Sequence, residues 1–210
     1  MDIVKDEKNL HKRVVIQIEP LDKSKIVKLQ ETISPKFEGF ESYNYKDIHM
    51  TLFHFGKPQD LYKDIVSNSK QNINYNDFIS TFIKLLEQLS YLIGSFEIEL
   101  NAGKISLFDY PADTSKKFRI VLLFEESKRL KSIRQEFIDK INHWLLTCSI
   151  KEYKTFYKNS PNFRYNSLED FSPHVTLGRV FGRDMPDKFD AETEQISVPF
   201  GNLNFLNVIN

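Results

Sequence analysis

Two rhythms of apolar positions alternate along this chain, one of period two and one near 3.6. Residues 1–12 are polar and read as a solvated lead-in. Val14-Val15-Ile16-Gln17-Ile18 is a compact β-branched run, a buried strand ended by Glu19-Pro20. Asp22 or Ser24 can cap a helix that sets Ile26, Leu29 and Ile33 on one side before Pro35 stops it. A second strand is predicted over Ile48–Phe55, closed by Gly56 and Pro58. Residues 59–74 are polar and read as a surface connection with room for a short helix. Tyr75, Phe78, Ile79, Phe82, Leu85, Leu86, Leu89 and Ile93 then form a helical stripe, with Gly94 where a C-cap glycine belongs.

Phe96–Leu100 alternates strictly, and Asn101-Ala102-Gly103 reads as a turn with Lys104–Phe108 as hairpin partner. Phe118–Phe124 is a strongly apolar strand. A long helix from about Lys128 to Leu146 turns Leu130, Ile133, Phe137, Ile141 and Trp144 inward. Residues 147–170 are polar and aromatic without clear period. A strand follows at about His174–Val180, and one or two more between Ile196 and Val208. This interleaving predicts an α+β fold in one domain spanning 1–210.

Two of the strands carry the same short sequence. Residues 49–52 read His-Met-Thr-Leu and residues 174–177 read His-Val-Thr-Leu. Side chains two apart on a strand share a face, so His49 pairs with Thr51 and His174 with Thr176. An imidazole and a hydroxyl presented by each of two strands suit a phosphate and paired acid–base chemistry. By the same alternation His54, five positions from His49, should face the other way and be structural.

Composition narrows the setting. Net charge is zero, so binding to duplex DNA through charge alone is not expected. Cys148 is the only cysteine, which excludes an intramolecular disulfide and a cysteine zinc site and points to a reducing, cytoplasmic setting. The charged residues 1–11 do not read as a signal peptide, and no apolar run approaches the roughly 20 residues of a membrane span. No metal site is expected from His49, His54 and His174, since His54 would face away and no cysteine or acidic ligand spacing supports one.

Paired His-apolar-Thr motifs resemble the signature of the two-histidine phosphoesterases, which include RNA 2′,5′-ligase-like proteins and cyclic nucleotide phosphodiesterases. The second copy, Ser172-Pro173-His174-Val175-Thr176-Leu177-Gly178-Arg179, is similar to that family's Pro-His-hydrophobic-Thr-Leu-x-Arg form. The resemblance spans roughly residues 13–208. It implies two pseudo-symmetric α+β lobes, with antiparallel sheets flanking a central cleft and helices on the outer faces. It also implies metal-independent, cofactor-free chemistry on 2′,3′-cyclic phosphates or 2′,5′-phosphodiesters. His49 and His174 would be general acid and base in an order left open, and Thr51 and Thr176 would hold the phosphate. The expected partner is a nucleotide or RNA 3′ end met by a monomer, with ligation in reverse conceivable for such chemistry.

Other residues have claims on the same substrate. Tyr153–Lys158 and Phe163-Arg164-Tyr165 interleave aromatics with bases, a composition suited to stacking on a nucleobase and screening phosphate. Tyr157, Phe163, Arg164 and Tyr165 are therefore candidate contacts, as are Phe108 and its neighbour Tyr110. Arg179 is another, although strict alternation would turn it away from His174 unless the strand bulges. The competing reading is a binding module that holds a nucleotide or RNA end in the same cleft without turnover.

Overall fold

The structure is a computed structural model and describes residues 13–69, 72–92, 97–109, 117–161, 163, 171–181 and 190–208. Seven strands form one antiparallel sheet: β1 (Arg13–Pro20), β2 (Glu41–Ser42), β3 (Met50–Gly56), β4 (Ile98–Asp109), β5 (Lys117–Phe124), β6 (His174–Phe181) and β7 (Asp190–Val208). Their order is β2-β6-β5-β4-β7-β1-β3. The helices are α1 (Ser24–Ile33), α2 (Pro58–Asn68), α3 (Tyr75–Tyr91), α4 (Lys128–Thr147) and α5 (Tyr153–Asn159). The α+β class is as expected from the pattern of the chain.

Strand and helix starts follow local chemistry. Asn74 caps α3 by accepting from the Asp77 N–H, and Ser127 caps α4 by accepting from the Leu130 N–H. Pro58 opens α2, where its missing N–H costs nothing. The predicted stripes of α3 and α4 meet in the core, where Phe78 and Phe82 pack on Trp144 at ring centroids 6.0 and 5.6 Å apart. Ile93 and Gly94, read as the end of α3, lie outside the described residues.

Two expectations are corrected. Residues 98–109 do not fold back at Asn101-Ala102-Gly103; they form the single strand β4, which pairs with β5 and β7. The small residues there mark an irregularity, because the register of β4 slips between Ala102 and Lys104 against both neighbours. A glycine inside an alternating run is as compatible with a bulge as with a turn, and here the bulge is realised. The short helix allowed for within residues 59–74 is α2, whereas residues 153–159, which show no clear period, form the helix α5. Of the one or two final strands expected, the chain forms one, β7. Its Gly201–Val208 part lies against β1 and its Asp190–Phe200 part against β4, so a single strand joins the two halves of the sheet.

Those halves repeat each other in register. In the first, β1 pairs β3 with Ile18↔Met50, Gln17↔Thr51, Ile16↔Phe53 and Val15↔His54. In the second, β5 pairs β6 with Leu122↔Val175, Val121↔Thr176, Ile120↔Gly178 and Arg119↔Arg179. Counted from each histidine, the partners match position for position. Each motif strand also carries one extra residue at the same place, Leu52 in β3 and Leu177 in β6. Both motif strands leave the sheet near its two ends, yet β3 and β6 approach each other because the sheet curls.

Candidate active site

The apolar face of the sheet packs on the helices and defines the opposite face by exclusion. Ile16, Ile18, Met50, Leu52, Phe53, Ile120, Leu122, Val175 and Leu177 belong to the main core. Val15, Gln17, Arg119, Val121, His54, Thr51 and Thr176 alternate with them and lie outside that core, on the other side. The two motifs thus share one face of the curled sheet.

Bulges decide what stands next along each motif strand. Leu52 and Phe53 both face the core opposite Ile16, so His54 returns to the face of Thr51. The expectation that His54 faces away is therefore corrected. In β6 the extra residue is Leu177, so Arg179 returns to the face of Thr176. The second bulge is held from behind. The Gln30 Nε2 donates to the carbonyls of Leu177 (2.6 Å) and Tyr43 (3.0 Å), and the Tyr43 N–H donates to the same Leu177 carbonyl at 3.0 Å. Arg179 is exposed and donates from Nε (3.3 Å) and Nη2 (3.1 Å) to the Tyr43 hydroxyl.

The two histidines are oriented alike. His49 Nδ1 lies 2.7 Å from the Asp47 carbonyl and His174 Nδ1 lies 2.7 Å from the Ser172 carbonyl. A carbonyl oxygen only accepts, so each Nδ1 carries the proton that it donates. In the neutral ring each Nε2 is then a lone-pair acceptor, the form a general base requires; protonated, it becomes a donor.

Their electrostatic settings differ. Burial is the largest influence on both and holds both pKa values below the usual 6.5. Around His49 the carboxylates of Glu19 and Asp47 work against that shift, while Lys23 adds to it. Lys23 is itself engaged by Glu19 at 3.3 Å and by the Tyr45 carbonyl at 3.1 Å. Around His174 the neighbouring charges are Arg119 and His49, and both disfavour its protonation. The influence of His49 on His174 places the two imidazoles within electrostatic reach across the space between β3 and β6. Phe108 flanks His174 edge-on, with ring centroids 4.9 Å apart.

The structure therefore brings together His49, His174, Thr51, Thr176, Arg179 and Phe108. It does not bring Tyr157 and Phe163 to that face. Tyr157 is 8% exposed and Phe163 fully buried; the two pack on each other, and Phe163 also packs on Phe55 and Phe156. Their aromatic surface is spent on the core, which corrects the expected substrate contact. Arg164, Tyr165 and Tyr110 lie outside the described residues. Residues that sequence reasoning missed are Glu19, Gln17, Arg119 and Tyr43. Arg119 carried one signal, as the single charge inside the run Phe118–Phe124.

Among the described residues no helix is long and apolar enough to cross a membrane. None of them forms a group of three or more His, Cys, Asp or Glu side chains placed to hold a metal ion.

No family model matches the chain, and no curated protein matches it. Solved structures are similar to it. TT0787 of Thermus thermophilus is 14% identical, with 92% of this chain and 94% of that chain covered and a TM-score of 0.48. LigT of E. coli complexed with 3′-AMP is 12% identical, with 94% and 95% covered and a TM-score of 0.45. The apo form of LigT is 13% identical over the same shares, with a TM-score of 0.41. At such identities and scores, the functional reading rests on this chain's own residues.

Proposed function

We propose that this protein is a two-histidine phosphodiesterase that cleaves a phosphodiester involving a ribose 2′-oxygen, a 2′,3′-cyclic phosphate or a 2′,5′ linkage, without a metal. One observation carries the reading: two His-x-Thr motifs at register-equivalent positions, each with Nδ1 tied to the carbonyl two residues back and Nε2 left for a ligand. A histidine that only fills space has no need of a matched partner with the same tautomer.

The unequal surroundings support an assignment of roles. His174, beside Arg119, is the neutral partner and general base. Its Nε2 takes a proton from water as the water oxygen bonds to phosphorus. His49, where Glu19 and Asp47 favour the charged form against burial, acts in its imidazolium form as the general acid. Its Nε2–H passes to the ribose oxygen as the P–O bond to that oxygen breaks, leaving a phosphomonoester and a free hydroxyl. Thr51 and Thr176 donate to the non-bridging oxygens, where charge gathers. Acid or base assistance is worth about 10²–10⁴-fold per group, so His49→Ala or His174→Ala should lose at least that much.

The test is turnover, in the presence of chelator, of a nucleoside 2′,3′-cyclic phosphate, a cyclic-phosphate-ended RNA and a 2′,5′-oligoadenylate. Loss in both variants supports the reading, and the preferred compound names the substrate class. Activity that chelation abolishes and added metal restores refutes it.

A further inference from the structure

The register repeat allows the two half-sites to be compared residue by residue, and they part at the cross-strand partner of each motif threonine. Thr176 stands opposite Val121 of β5, a fully buried valine, whereas Thr51 stands opposite Gln17 of β1. Directly opposed residues of an antiparallel pair share a face, so the Gln17 side chain lies on the cleft side beside Thr51. Its neighbours Ile16 and Ile18 belong to the main core, and Gln17 lies outside it. Gln17 is 1% exposed, and its Oε1 has no hydrogen-bond partner among the described residues. A buried amide oxygen without a donor opposes folding, and Val121 shows that an apolar side chain fills the matching place. An acceptor kept there calls for a donor that arrives with a ligand.

We propose that Gln17 is a specificity-determining residue that holds the free ribose hydroxyl next to the phosphate in the cleft. This rests on the phosphodiesterase reading above and sharpens its substrate to one whose esterified ribose carbon has a hydroxyl-bearing neighbour. Phosphate oxygens only accept, so the phosphate held by Thr51 leaves Oε1 unpaired. A hydroxyl donates to Oε1 and equally accepts from the amide Nε2–H, so it satisfies whichever end of the amide meets it. The vicinal hydroxyl is the donor that a nucleotide carries nearest its phosphate; the base amino groups lie across the sugar ring. Cross-strand neighbours on one face have Cβ atoms about 4.5–5.5 Å apart, a spacing that suits Thr51 to the phosphate and Gln17 to the adjoining oxygen. A site with a buried acceptor also rejects the analogue lacking the hydroxyl, because that analogue leaves the acceptor unpaired. A 2′,5′-linked nucleotide presents such a hydroxyl at the 3′ position before cleavage, and a 2′,3′-cyclic phosphate releases one only as the ring opens. Gln17 therefore holds the first as substrate and the second only as product.

Binding of product-like monophosphates by calorimetry tests this without requiring turnover. One pair of probes is adenosine 3′-monophosphate and 2′-deoxyadenosine 3′-monophosphate. The other is adenosine 2′-monophosphate and 3′-deoxyadenosine 2′-monophosphate, with inorganic phosphate beside them. Each is titrated into wild type, Q17M and Q17V. Wild type should bind the hydroxyl-bearing member of at least one pair about tenfold tighter or more, and that pair names the ribose position. Both variants should cut the ratio to under about threefold, while binding the deoxy compounds and inorganic phosphate as wild type does. Equal binding within both pairs by wild type overturns the proposal, as does a ratio that survives in the variants. Weaker binding of inorganic phosphate in the variants also overturns it, by assigning the amide to the phosphate itself. Should Q17V fail to fold by circular dichroism, Q17M, which keeps the volume, carries the test. Turnover lost in the His49 and His174 variants, with no hydroxyl preference in either pair, would leave the proposed reaction standing and remove only the role of Gln17. A hydroxyl preference that depends on Gln17, in a protein that turns over none of the substrates, would do the reverse.

Discussion

Gln30 offers the sharpest test of how the second half-site is built. It is a nearly buried amide on α1, far in sequence from the motif it serves, and one Nε2 spans the carbonyls of Leu177 and Tyr43. Replacing it with methionine keeps the volume and removes both donors. The Leu177 carbonyl would retain the Tyr43 N–H at 3.0 Å, so its loss lies near the ordinary value of a hydrogen bond, about 1 kcal/mol. The Tyr43 carbonyl would lose its amide partner in a half-buried place, which costs about 1–3 kcal/mol. Together Q30M should destabilise by about 2–4 kcal/mol. For a chain of this length that lowers Tm by roughly 4–16 °C, measured by calorimetry or circular dichroism. Since Leu177 is the extra residue that turns Arg179 back to the cleft face, kcat/KM should also fall at a temperature where the variant is fully folded. A Q30M protein within about 0.5 kcal/mol of wild type would refute the claim that this amide holds the bulge.

Both motif histidines are held below 6.5 by burial, so the unfolded chain binds more protons than the native one as pH falls below that value. Native stability should therefore fall on acidification through 6.5 toward the lower folded values, and the slope in urea titrations should shrink in a His49→Gln, His174→Gln double variant. The pH profile of kcat/KM, which reports the free enzyme, should be bell-shaped with its centre on the acid side of 6.5. Glu19→Gln removes a carboxylate that favours the His49 imidazolium and should move the alkaline limb lower still; an unmoved limb contradicts His49 as the acid. Gly178→Ala would set a Cβ 2.5 Å from the Glu41 carbonyl oxygen and against the Phe40 ring, forcing β2 off β6. It should cost about 1–3 kcal/mol by thermal unfolding, as overpacking generally does, and reduce activity with it.

How far this molecule can be read from its sequence depends on what a given residue answers to. The helix stripes of α3 and α4 were legible because burial enforces their period over many residues, and Phe78, Phe82 and Trp144 all meet in the core. His49 and Thr51 were legible for a similar reason, since two residues on one strand share a face unless an extra residue intervenes. Three residues further the same rule fails in both halves, because a bulge costs the sequence only one added apolar residue and leaves no mark in the alternation. His54 was misplaced for that reason, and Arg179 could not be placed. The aromatic segment failed differently. Tyr157 and Phe163 have the composition of a ligand surface, but composition does not say which side of α5 and its flanks faces inward, and here the core takes both rings. Arg119, Glu19 and Gln30 were hidden because their meaning is relational. A lone arginine in an apolar strand acquires a role only once the register sets it opposite Arg179 and beside His174. The repeated motif announced two half-sites, and what makes them unequal lies on the neighbouring strands, in residues that carry no motif at all.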